Sequence, residues 1–375
     1  MGSDLPDVER QFLAGKPQRA SRSCRYWNRE RAKARRQQLL FQLHEDSRSQ
    51  FGTEGCSLSS WFFVFSLFRD SSIDDEVNTA DQPKPRLARV LLTVLLVLVF
   101  GLLGSYTAGC FLAQAANQAV GKPPADLDAI DVRIPSESGS LLAGWLLKGE
   151  SGRGAILLLH GIRSNRWSMV ARARWLHGTG YTVLLIDFQA HGESPGKHVT
   201  FGFLESKDVE AAARYLRQVA PGERLGVIAA SMSAAGLLVA RHPLPFQAVI
   251  LEAPYPTIDA AVRGRLRDRL GPPGEWLAPL LLMQLYPRMG FRPGDLQPVD
   301  HLGTLNAPVL ILGGGSDPHP TPAETRQMFE EAMEPKELWI VPGLEHVDLH
   351  AGARSDYEQR VGGFLTRYLR DSPLP

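Results

Sequence analysis

Residues 225–236 read Leu-Gly-Val-Ile-Ala-Ala-Ser-Met-Ser-Ala-Ala-Gly. An apolar run ends at Ser231, and a small-residue helical pattern begins directly after it. Such a run fits a strand buried on both faces of a parallel sheet. The switch of period puts Ser231 on a sharp strand-to-helix turn that presents its side chain above the sheet. The turn is strained and brings the residues two before and two after together, so both must be small. Here they are Ala229 and Ser233, where glycines are usual. Ser233, flanked by Ser231 and Ala235, is a rival; Ser231 is preferred as the first residue after the strand. Serines capping a helix start would give the same local pattern.

Further apolar runs occur at 141–147, 155–159, 182–186, 246–251, 308–312 and 338–341. Amphipathic stretches lie between them, as at 204–218, where Leu204, Val209, Ala212 and Leu216 mark one face. This alternation predicts an α/β domain over 129–371 with a doubly wound, mostly parallel sheet. The rhythm breaks between 251 and 308. An insertion at about 254–306 is expected to form a helical cap, or else a helical excursion that completes the core.

Ligands of such a sheet gather at the carboxyl ends of its strands. After 155–159 come His160, Gly161 and Ile162; this loop can offer the Ile162 N–H to an oxyanion, paired with the N–H of Met232. His160 reads as a structural loop residue. After 308–312 comes Gly-Gly-Gly-Ser-Asp317, where a carboxylate can hold an imidazole in one tautomer, although Asp317 alone could equally be a turn residue or cap. After 338–341 comes Pro-Gly-Leu-Glu-His346, with His350 four residues further on; position favours His346 as general base. Ser231, Asp317 and His346 are thus the candidate catalytic triad.

The segments Leu159-His-Gly161, Asp187-Phe-Gln-Ala-His-Gly-Glu-Ser194, Ser231-Met232, Pro254-Tyr-Pro256, Gly315-Ser-Asp317 and Pro342-Gly-Leu-Glu-His346 follow one another in this order. In these segments residues 129–371 resemble the α/β-hydrolase superfamily, nearest to single-domain esterase-like members related to prolyl oligopeptidases and acyl-protein thioesterases. The resemblance implies the α/β-hydrolase fold and hydrolysis of an ester, thioester or amide through an acyl-enzyme, with no cofactor. It also implies a structural role for 187–194, and Glu205 and Asp208 look similarly structural. The expected substrate is a small-molecule or lipid-like acyl ester, and the apolar cluster at 276–285 hints at a lid over a hydrophobic acyl pocket. A serine peptidase and a catalytically inactive binding domain, suggested by the altered elbow, are the alternatives.

The region before 129 differs in kind. Between Lys16 and Arg36 stand nine Lys or Arg residues and one acid, Glu30, so 1–83 reads as a solvated basic tail. Its apolar patch at 61–65 is too short to span a bilayer. From 90 to 113 no charge appears, and roughly 20 apolar residues suffice to cross a membrane. The segment 84–116 is therefore expected to be one transmembrane helix, followed by a linker at 117–128. Lys84, Arg86 and Arg89 on its N-terminal side put the N-terminus in the cytoplasm and the domain outside. A cleaved signal peptide ending near Ala113-Gln-Ala115, or a lipoprotein signal at Cys110, would share that sidedness; a retained anchor is preferred. The cysteines, Cys24, Cys56 and Cys110, lie ahead of the domain, so neither a disulfide scaffold nor a metal site is expected. A net charge of +1 gives no reason to expect a nucleic-acid partner.

Overall fold

The computed structural model describes residues 85–241 and 244–371; the expected basic tail at 1–83 lies outside the described residues. Helix α1, Pro85–Ala113, comes first. Within it Leu87–Ala113 is long and apolar enough to cross a membrane, and its large side chains are exposed along its length. The chain then pairs Ala116–Asn117 with His191–Gly192, and the Val120 and Gly121 N–H groups bond to Glu193.

Eight strands form the main sheet: β1 Ala129–Pro135, β2 Leu141–Leu147, β3 Ala155–Leu159, β4 Thr182–Ile186, β5 Leu225–Ala230, β6 Phe246–Glu252, β7 Val309–Gly314 and β8 Lys336–Val341. Their spatial order is β8-β7-β6-β5-β3-β4-β2-β1, antiparallel at β1–β2 and β2–β4 and parallel elsewhere. The helices are α2 Val170–Gly178, α3 Glu205–Val219, α4 Met232–Leu238, α5 Ile258–Leu270, α6 Ala278–Leu282, α7 Leu285–Met289, α8 Pro322–Glu331 and, near the C-terminus, α9 Arg354–Thr366.

The apolar runs fill two cores because successive strand residues point to opposite faces. In β3, Leu157 and Leu159 join one core with Val209, Ala212 and Leu216 of α3; Ile156 and Leu158 join the other with Leu176 of α2 and Phe364 of α9. β1 was not among the apolar runs because it is an edge strand whose residues are mostly exposed. The insertion forms α5–α7. Ala278, Leu282 and Leu285 close a third, smaller core with Tyr255, Ile258, Phe291 and Leu296. Trp276, Leu277 and Met283 remain exposed. This insertion also meets α1: Ser105 Oγ donates to Leu280 O at 3.1 Å, Gln284 Nε2 donates to Ser105 Oγ at 2.9 Å, and Arg288 donates to Tyr106 O at 2.7 Å.

Candidate active site

β5 delivers Ser231 as the sequence pattern requires. Its φ of 53° and ψ of −109° lie where non-glycine residues are strained, and they turn the chain from β5 into α4. Ser231 N–H donates to Glu252 O at 2.8 Å, which ties the turn to the end of β6. Among the described residues the Ser231 hydroxyl forms no hydrogen bond.

Ser233 is placed quite differently. It is fully buried; its hydroxyl donates to Leu159 O at 2.9 Å and accepts from Ala230 N at 2.7 Å. A hydroxyl at this position therefore braces the turn against β3. Neither Ile162 N–H nor Met232 N–H enters a loop or turn hydrogen bond among the described residues. The Gly161 loop runs beside the serine, close enough that a Cβ on Gly161 would stand 3.8 Å from Ser231 Cβ.

Asp317 and His346 are brought together by two loops that leave β7 and β8. Gly315 N–H donates to Val341 O and Ser316 N–H to Leu344 O, each at 2.8 Å. Gly314 permits this approach, since a Cβ there would meet Leu344 O at 2.4 Å. His346 Nδ1 then lies 2.8 Å from Asp317 Oδ2, while Asp317 Oδ1 accepts from His319 N at 2.9 Å. Asp317 is buried and His346 partly exposed. His350 points elsewhere: it is buried, stacks on Trp175, and its Nε2 lies 3.1 Å from Glu358.

The cleft in front of Ser231 is narrow, with about 10 Å³ of cavity volume, and is lined by Tyr255, Ala261, Arg265, His319 and Glu324. The 276–285 cluster does not line it; its Leu281, Leu282 and Leu285 border a separate apolar cavity shared with Leu112 of α1. Tyr255 OH donates to Phe201 O, and burial pushes its phenol well up.

The fold has a counterpart among solved structures. The esterase Pf2001 of Pyrococcus furiosus superposes with a TM-score of 0.58 and 26% identity over 69% of this chain and 98% of that one. An uncharacterised protein of Mycobacterium tuberculosis is 31% identical over 228 residues, 58% of this chain and 72% of that protein. This chain is an α/β-hydrolase. The family model described as serine aminopeptidase, S33, matches residues 150–299 of the hydrolase, which includes the elbow. The α/β hydrolase GrgF from Penicillium sp. sh18 shares the fold, with a TM-score of 0.52 and 20% identity over 65% of this chain and 99% of that one.

Several polar residues around the site of this hydrolase were not singled out from sequence. Arg172 of α2 lies buried between Glu252 at the end of β6, 2.7 Å away, and Asp348, 2.6 Å away, just past His346. Tyr357 OH donates to the same Glu252 carboxylate. Arg166 is buried over the Trp145 ring, pairs with Asp187 and reaches Glu193 at 2.6 Å. The sequence signal for Glu252 was an acid closing an apolar strand; nothing in sequence named its partner 80 residues upstream.

His160 is enclosed and neutral. Its Nδ1 lies 2.7 Å from Gly161 O and its Nε2 accepts from Phe188 N at 3.2 Å, so Nδ1 carries the proton. Burial, with the nearby His191 charge, pushes its pKa down to about 3. Between that value and the ordinary ~6.5 the unfolded chain binds a proton that the folded one refuses, so stability is lost as pH falls through this window. The stability of wild type relative to His160→Asn is expected to fall below about pH 6.5 by up to ~1.4 kcal/mol per pH unit, a comparison that cancels the opposite contribution of buried Asp208, whose carboxyl burial pushes up to about 7. A difference between the two proteins that does not change from pH 6.5 to 4 would contradict the buried neutral assignment.

Proposed function

We propose that this hydrolase is a membrane-anchored serine enzyme that cleaves a carboxylic ester or thioester through an acyl-enzyme on Ser231. The observation that carries the reading is the buried Asp317 carboxylate 2.8 Å from His346 Nδ1, on loops beside the strained Ser231 turn. In this mechanism Asp317 fixes the His346 tautomer and stabilises the imidazolium that forms. His346 Nε2 removes the Ser231 proton, and Ser231 Oγ attacks the carbonyl carbon. The Ile162 and Met232 N–H groups receive the oxyanion. His346 then gives the proton to the leaving alcohol or thiol. Water, deprotonated by the same base, releases the acid. The Ser231–His346 hydrogen bond closes in the substrate complex, since contacts of this kind are often long without substrate.

The membrane part of the reading rests on Leu87–Ala113 and on the cations before it. With the N-terminus cytoplasmic, the catalytic domain works on the outer side. The family description as serine aminopeptidase favours an amide as the second reading.

Fluorophosphonate labelling of the full-length chain tests the nucleophile. Label is expected on wild type and Ser233→Ala and absent from Ser231→Ala. Ser233→Ala should also lower stability by about 1–2 kcal/mol, because the Leu159 carbonyl and Ala230 N–H lose their partner. An unlabelled, folded wild type would instead point to a non-catalytic binding domain. Comparing matched esters and anilides on labelled enzyme then separates esterase from peptidase.

A further inference from the structure

Helix α5 carries Arg263, Arg265, Arg267 and Arg269 at alternate positions. A helical period sends neighbours on such a row to different sides. Arg263 pairs with Asp259 at 2.6 Å and Arg267 pairs with Glu275, both near the surface. Arg265 falls on the side of Ile258 and Ala261, which is turned inward, and it lines the cleft with Ser231. Among the described residues it has no hydrogen bond and no ion pair.

The nearby carboxylates are engaged elsewhere. Asp317 hydrogen-bonds His346 and the His319 N–H; its charge reaches Arg265 only across space, without a hydrogen bond. Glu324 lines the same cleft, but its Oε2 is held by Thr321 N at 2.7 Å and Thr321 Oγ1 at 2.8 Å at the start of α8. A partly buried guanidinium whose N–H groups have no hydrogen-bonding acceptor is costly unless a ligand supplies one. Burial pushes the pKa of Arg265 down, yet an arginine keeps its proton.

A second polar group in the cleft is also unpartnered. His319 Nδ1 is buried without a hydrogen bond among the described residues. The ring stacks on His346, with centroids 5.4 Å apart, and the His319 Cβ sits against Gly264, one residue before Arg265, where an added Cβ would stand 3.0 Å from it. Burial, followed by the Arg265 charge, lowers the His319 pKa and keeps the ring neutral, so one of its nitrogens carries a proton that it can donate.

We propose that Arg265 and His319 form a carboxylate-binding subsite beside Ser231, and that the preferred substrate is a short acyl ester whose acyl chain ends in a carboxylate. This assignment rests on the reading of Ser231 as the nucleophile. It replaces the apolar acyl pocket expected from 276–285: the space at the nucleophile is small and carries Arg265 and His319, and the apolar cavity opens on α1 instead. Arg265 supplies the charge and a planar pair of donors that matches a carboxylate.

The first experiment is calorimetric binding of adipate to the full-length chain in detergent micelles, with hexane-1,6-diol as the uncharged control. Adipate is expected to bind wild type, to weaken about 10- to 100-fold in Arg265→Gln as for a lost hydrogen bond to a charged group, and to recover partly in Arg265→Lys. The second experiment compares kcat/KM for mono-4-nitrophenyl adipate and 4-nitrophenyl hexanoate. The wild-type ratio should favour the adipate, and Arg265→Gln should reduce that ratio by a similar factor. Absence of adipate binding, binding of the diol as tight as the dianion, or a ratio unmoved by Arg265→Gln would each overturn the subsite. Loss of fluorophosphonate labelling with adipate binding intact would overturn the nucleophile and leave the subsite standing.

Discussion

Ser231→Ala is expected to lower turnover of an activated ester by at least ~10⁴-fold, with the unfolding midpoint close to that of wild type. The first half follows from chemistry. Without the hydroxyl no acyl-enzyme forms, and the oxyanion donors and binding alone leave a residual rate far below the complete set. The second half follows from the structure, because the Ser231 hydroxyl holds no hydrogen bond among the described residues and its removal orphans no partner. The turn itself is kept by the Ser231 backbone and by Ser233, neither of which the substitution touches. Single-turnover kinetics beside a urea titration measure both quantities. A variant that retains a tenth of wild-type activity would move the nucleophile elsewhere.

Arg172→Met is expected to destabilise the domain by roughly 3–5 kcal/mol, the cost of leaving a buried charge without its partner. The side chains of Arg172 and Glu252 are almost wholly enclosed, and Tyr357 adds a hydroxyl to the same carboxylate. Removing the guanidinium strands Glu252 at the end of β6, directly beside the Ser231 turn. It also releases Asp348, whose carboxylate caps the short helix Leu349–Gly352 after the His346 loop. Since ordinary domains are stable by only about 5–15 kcal/mol, the single variant should show a greatly lowered urea midpoint. The double variant Arg172→Met with Glu252→Met removes both charges and should regain much of the loss, as apolar replacements of buried ion pairs often do. Equal instability of the single and double variants would show that packing rather than the stranded charge sets the cost.

The sequence by itself determined a good deal of this protein. Continuous apolar runs such as 155–159 and 182–186 can only be satisfied by burial on both faces, so they announced the parallel sheet. The change of period at Ser231 announced the turn, because a strand and a helix bury their apolar residues at different spacings. The uncharged stretch ending at Ala113 announced a helix of membrane-spanning length. These are signals written within one segment.

Tertiary structure decided whatever depends on two distant segments meeting. Position along the chain favoured Ser231 over Ser233, but only β3 gives Ser233 a task of its own, because the Leu159 carbonyl takes its hydroxyl. His346 and His350 are four residues apart; the loop past β8 turns one to Asp317 and the other to Glu358 and Trp175. Arg265 looks like one of four alike cations until α5 is laid against the cleft. The physical reason is common to all three. Hydrogen bonding and desolvation are fixed by which groups share a buried space, and that sharing is set by the packing of the sheet and not by neighbours along the chain.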